Sequence, residues 1–182
     1  MNWKTHLRKL ELNKQWDQAI EFMQIIIEAN PDDMYAYIYI NFLLMNLLVE
    51  EDYDESKYNY YAKLTKKYFD ESYAKFSNNA EYLFCSGITA VMSEWYFGLN
   101  TDGYQKMLTK AAELEPDNML YKRSYYIHLN RNIDIQLTEA KYYAHLILQD
   151  DSALTKQLRS YGALSEYLYY RMRGWAKDTL SW

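Results

Sequence analysis

The sequence predicts an all-α fold of stacked antiparallel helical hairpins, about nine helices in one domain over residues 1–182. Three observations carry this. The chain has only 5 Gly and 2 Pro, too few for a loop-rich β fold and well suited to long helices. Apolar residues recur every three or four positions through most of its length. The two prolines also stand in matching phrases, Ala29-Asn30-Pro31-Asp32-Asp33-Met34-Tyr35 and Leu114-Glu115-Pro116-Asp117-Asn118-Met119-Leu120. In each, an amphipathic run ends, proline blocks its continuation, an Asp follows that can cap a helix, and a new apolar run begins at Met. Similar joints without proline are read at Phe76–Ala80 and Gln149–Ala153. With Pro31, Ser77, Pro116 and Asp150 as equivalent points, the steps are 46, 39 and 34 residues. The expected hairpins are 2–30, 31–76, 77–115 and 116–149, with a capping helix over 150–175.

The elements follow in order. Trp3–Leu12 carries Trp3, Leu7 and Leu10 at helical spacing, and Asn13-Lys14-Gln15 closes it. Trp16–Ala29 places Trp16, Ala19, Ile20, Met23, Ile26 and Ile27 on one broad face. In Asp32–Val49, Tyr35, Ile38, Phe42 and Met45 form one stripe, and Tyr39, Leu43 and Asn46 lie beside it. The most apolar part, Met34–Val49, is 16 residues long and includes Asn41 and Asn46, so it reads as a central buried helix, short of the roughly 20 apolar residues that cross a bilayer. The next helices are read over Ser56–Phe76 and Asn79–Phe97. Gly87 inside the second costs about 1 kcal/mol relative to Ala, which points to close contact with a neighbouring helix. Gly98–Gly103 makes a turn. Helices then follow over Asp102–Leu114 with Asp102 as a cap, over Asp117–Leu129, over Asp134–Gln149 and over Ser152–Trp175. In the last, Tyr167, Tyr169 and Trp175 seal the core, or form an exposed patch with Arg171 and Arg173.

Charge narrows the class of function. The formal net charge is −5; residues 1–91 carry 9 Lys and Arg against 14 Asp and Glu, whereas residues 92–182 carry 11 against 11. That distribution argues against a nucleic-acid binder, whose footprint is basic. The lone Cys85 has no internal disulfide partner, and the N-terminal stretch lacks the apolar segment of a signal peptide, so a soluble protein of the reducing cytoplasm is expected, without a membrane span. His6, His128 and His145 fall in different helices and form no zinc-spaced motif. No nucleophile elbow, phosphate loop or dinucleotide fingerprint occurs. A non-enzymatic protein without metal or cofactor is therefore expected.

The residues around the joints resemble a known family. Ala19 with Pro31 twelve residues later, followed by Asp32, Asp33 and a fresh helix, resembles the second helix and closing turn of a tetratricopeptide repeat. Ala111-Ala112-Glu113-Leu114-Glu115-Pro116-Asp117-Asn118 is similar to that turn, and Leu83, Ser86, Gly87 and Ala90 to the first-helix pattern. The chain departs from the family at Tyr104, where the counterpart of Ala19 would stand, and at the joints lacking proline. The resemblance implies an α/α solenoid that serves as a protein-binding scaffold.

The most distinctive polar feature is Glu50-Glu51-Asp52-Tyr53-Asp54-Glu55, five acids in six residues. It reads either as a solvated loop between helices or as a docking surface, in which carboxylates meet the Lys and Arg of a basic partner and nearby tyrosines supply contact area. The expected contact set is Glu50, Glu51, Asp52, Tyr53, Asp54, Glu55, Tyr58 and Asp33. In overall character the chain also resembles the acidic helical immunity proteins of antibacterial toxin systems, several of whose toxins are nucleases. That likeness implies neutralisation of a cognate toxin by occlusion of its basic active site. Two alternatives stay open. One is an adaptor or chaperone holding an extended peptide along a concave face lined by Tyr35, Tyr39, Phe42, Phe84, Arg123 and Ile127. The other is an enzyme or small-ligand protein with a site between helices near His128 and His145.

Overall fold

The computed structural model describes residues 3–128 and 133–149 and, beyond them, Leu164, Glu166, Tyr167 and Tyr169. These residues form eight α-helices: α1 Trp3–Leu12, α2 Trp16–Ala29, α3 Met34–Glu50, α4 Tyr58–Phe76, α5 Ala80–Ala90, α6 Thr101–Leu114, α7 Met119–His128 and α8 Ile133–Gln149. Two 3-10 helices, Glu55–Lys57 and Glu94–Phe97, complete the set, and no strand occurs among the described residues. No helix of the described residues is long and apolar enough to cross a membrane.

The sequence places α3 at the centre because a helix apolar on every side must be covered on every side. Ile38, Phe42 and Met45 join one apolar cluster with residues of α5, α6 and α7. Tyr37, Ile40, Leu44 and Leu47 join a second with α1, α2 and α4. Each fully buried side chain of this kind contributes about 1.5–3 kcal/mol. Asn41 fixes the register of the packing: its Nδ2 donates to Ser72 Oγ at 3.1 Å, and that oxygen lies 2.7 Å from the Tyr82 hydroxyl. One buried polar chain therefore ties α3, α4 and α5 together.

Helix starts are marked by side-chain caps. Asp33 Oδ1 accepts from the N–H of Tyr35 and Ala36 at 3.0 and 3.3 Å, opening α3. Asn79 opens α5, Asn100 α6 and Asn118 α7 in the same way. The expected caps Asp102 and Asp117 do not serve, because Asp102 lies inside α6 and Asp117 in the preceding turn. The expected contact at Gly87 is present: a Cβ there would stand 2.8 Å from Leu108 Cδ2, so α5 and α6 approach at the distance only glycine allows.

The helix expected over Asn79–Phe97 divides. Regular α geometry stops at Ala90, and the N–H groups of Met92 and Ser93 bond to Thr89 and Ala90 carbonyls, both at 3.1 Å. The second piece, Glu94–Phe97, ends at Gly98, whose φ of 71° is left-handed. Phe97 is thereby turned inward while Trp95 is left outside.

The chain also folds back on itself. Leu164 is buried in the cluster shared by α3, α5, α6 and α7, and Tyr167 lies 5.6 Å from the Phe42 ring. Arg8 Nη2 donates to both carboxylate oxygens of Glu166 at 2.7 and 2.6 Å, joining α1 to the C-terminal part of the chain. The rest of the expected helix over 150–175, its joint at Asp150 and its Arg171, Arg173 and Trp175 lie outside the described residues.

Candidate docking surface

The acidic run is built by the end of one helix and the start of another. Glu50 closes α3, Glu51 turns the backbone into an extended conformation at φ −110° and ψ 153°, and Asp54, at φ −66° and ψ 111°, is extended as well. Asp54 Oδ1 then accepts from Ser56 N–H at 3.0 Å and starts the Glu55–Lys57 turn that leads into α4. The Ser56 hydroxyl first, and then this N–H, hold the Asp54 carboxyl below the usual carboxylate range. Both ends of the run are pinned. Glu51 accepts from Lys14 Nζ at 2.9 Å, while Lys57 pairs with Asp17 of α2. Asp17 also accepts from the Tyr61 hydroxyl at 2.7 Å, and its pKa is lowered first by Lys57 and then by Tyr61. Glu50, Asp52, Asp54 and Glu55 are left exposed.

Two groups of rings accompany these carboxylates. Tyr53 meets Tyr61 edge to face at 5.6 Å, and Tyr60 lies 5.7 Å from Tyr61. The Tyr58 ring is 6.2 Å from Tyr96, which is 5.7 Å from Trp95. Burial, followed by the hydrogen bond with Tyr58, pushes the Tyr96 hydroxyl up to about 12. The outer rings are open: Trp95 is 64% exposed, Tyr60 49% and Tyr58 41%. They are carried by the first turns of α4 and by the 3-10 helix packed on it.

Of the expected contact set, Glu50, Glu51, Asp52, Tyr53, Asp54, Glu55 and Tyr58 come together. Asp33 does not join them: it opens α3 and Glu50 closes it, and a helix of 17 residues is about 25 Å long. Its carboxylate is occupied as the cap of α3, and its neighbour Asp32 is paired with Lys75. Trp95 and Tyr96 were missed by sequence reasoning because the uninterrupted-helix reading hid the turn that presents them. The adjacent aromatics just before Gly98 were the available signal.

The other candidates have structural places. Tyr39, Phe42, Phe84 and Arg123, proposed for a peptide-binding face, are buried. His128 lies edge to face on Tyr104 at 5.9 Å, and burial, with Arg123 beside it, lowers its pKa to about 4. Burial likewise lowers Arg123, to about 10. Cys85 is buried, and no group of three His, Cys, Asp or Glu suited to a metal ion occurs among the described residues.

Comparisons of the chain with protein-family models, with curated proteins and with solved structures find no match.

Proposed function

We propose that the protein is a non-enzymatic binding module that docks a partner with a basic surface through the acidic run and the adjoining rings. The observation supporting this most directly is the row of rings that runs from exposed Tyr58, three residues after Glu55, through Tyr96 to exposed Trp95. Trp and Tyr are the side chains that most often anchor an interface, and clustered charge beside them steers approach and sets register. Within this class the specific reading is an immunity protein. It covers the basic active cleft of a cognate toxin, its carboxylates standing where phosphates of a nucleic-acid substrate would bind. An adaptor for extended peptides has less support, because Tyr39, Phe42, Phe84 and Arg123 would have to be accessible and are packed inside.

The test uses the product of the adjacent coding region. Its expression alone should arrest growth, and coexpression of this chain should restore it. Trp95→Ala combined with Ser at Glu50, Glu51, Asp52 and Asp54 should abolish rescue and flatten the salt dependence of binding. A harmless neighbour, or rescue by the variant at full strength, would refute the reading.

A further inference from the structure

A cleft of about 400 Å³ lies between α1, the second half of α3 and the described C-terminal residues, sharing Glu51 with the acidic run. Its size falls within the range of small-molecule sites, about 300–1,000 Å³. Leu12, Trp16, Phe42, Leu43 and Tyr167 make its apolar wall. Arg8, Glu11, Lys14, Asn46, Glu51 and Glu166 converge on the same space.

Glu11 is the most buried of the cleft's three carboxyls. It is only 8% exposed, and its nearest cation, Arg8 Nη1, stands 3.6 Å from Oε2, longer than a hydrogen bond. Arg8 gives its Nη2 to Glu166 at 2.6 Å, and Lys14 is held by Glu51 at 2.9 Å. Among the described lining residues, three carboxyls thus face two cations, and each cation lies closer to another carboxylate than to Glu11. Burial raises the Glu11 pKa to about 7, with Arg8 opposing and Glu166 adding to the rise.

We propose that this cleft binds an organic cation, an alkylammonium or alkylguanidinium group on a short apolar stem, with Glu11 as its counter-ion. Trp16, Phe42 and Tyr167 lie along the stem, and ring faces attract cations as well as apolar chains. The Asn46 side chain offers a further donor and acceptor. An anion would meet three carboxyls, and a neutral apolar molecule would leave Glu11 with no charge partner beyond Arg8, which it shares with Glu166. The same chemistry comes from two sources, a free amine or an Arg or Lys side chain of a docked polypeptide. Besides Arg8, Lys14, Glu51 and Glu166, the groups near Glu11 that titrate are Tyr39 of α3 and Tyr167. His6 of α1 packs instead on Phe22.

Isothermal titration of the unmodified protein with agmatine, with N-acetyl-arginine amide and with its uncharged citrulline counterpart tests this. At about pH 8 a guanidinium should bind saturably and citrulline should not; at about pH 6 affinity should fall about tenfold as Glu11 takes up its proton. Titrations near neutrality in two buffers of different ionisation enthalpy should show a proton released per cation bound, a signature that needs no variant. Glu11→Gln should weaken binding at least tenfold and erase its pH dependence. Tighter binding of agmatine assigns the site to a free amine, and tighter binding of the capped arginine to a side chain. No saturation by either at millimolar concentration, binding without proton release, or equal binding by Glu11→Gln overturns the proposal.

Discussion

Phe97 stacks face to face on Phe69, ring centroids 4.3 Å apart and planes 7° from parallel. This contact fixes the Glu94–Phe97 turn against α4 and so directs Trp95 outward. Truncating Phe97 to Ala should cost about 3–5 kcal/mol, the usual loss for a buried ring, measured by urea denaturation. Phe97→Leu should recover most of it, and partner affinity should track the position of Trp95 more closely than global stability.

Gly87 and Leu108 set a second expectation. Ala at position 87 gains about 1 kcal/mol of helix propensity but must displace Leu108, itself buried, at a cost of about 1–3 kcal/mol. Gly87→Ala should therefore lower the melting temperature. In the Leu108→Ala background the same change should be neutral or stabilising, a sign reversal that a double-mutant cycle reads directly.

Glu11 and His128 drive stability in opposite directions with pH. The Glu11 carboxyl is raised above its ordinary value, so its stabilising preference for the neutral form is fully present below about pH 4.5 and lost as pH rises through about 7. His128 is depressed, so its contribution is present above about pH 6.5 and lost as pH falls through about 4. Glu11→Gln should raise stability at pH 8 by up to about 3 kcal/mol and leave it nearly unchanged at pH 4. With the Glu11 contribution gone, the variant should lose stability on acidification more steeply than the parent. Denaturation midpoints across this range provide the check.

Asp17 separates charge from hydrogen bonding. Its pair with Lys57 is half exposed and screened by solvent, so it contributes little to stability. Asp17→Asn keeps an acceptor for the Tyr61 hydroxyl and should cost little. Asp17→Ala removes that acceptor from a ring that is 2% exposed and should cost about 1–2 kcal/mol more, as thermal denaturation at fixed salt would show.

These particulars show where local sequence was sufficient. α2 was legible to its end residues because its apolar residues share one face and Asn30-Pro31 stops it; Ala19, Ile20, Met23 and Ile27 are buried there, while Trp16 and Ile26 are half-buried at the margin. The burial of α3 followed from apolar residues on every side. Caps were read one place wrong at α7, since Asp117 and Asn118 are chemically similar and turn geometry chooses between them. The break after Ala90 has no Gly or Pro to announce it, and the turn beyond it packs Phe97 on Phe69, which is distant in sequence. The candidate docking surface was half legible, because its carboxylates are contiguous, whereas Trp95 and Tyr96 are presented only through that break. The cleft was not legible, since Glu11, Glu51 and Glu166 come from three separate parts of the chain.

The sharing of α3 between both apolar clusters has a mechanical meaning. Prising open either side strips one flank of the same helix, so neither half of the molecule has a seam along which it could detach and survive alone. Amide protons near Ile40 and Leu44 should consequently exchange with solvent only when the whole chain lets go, and fragments cut on either side of α3 should be recovered as unstructured peptides.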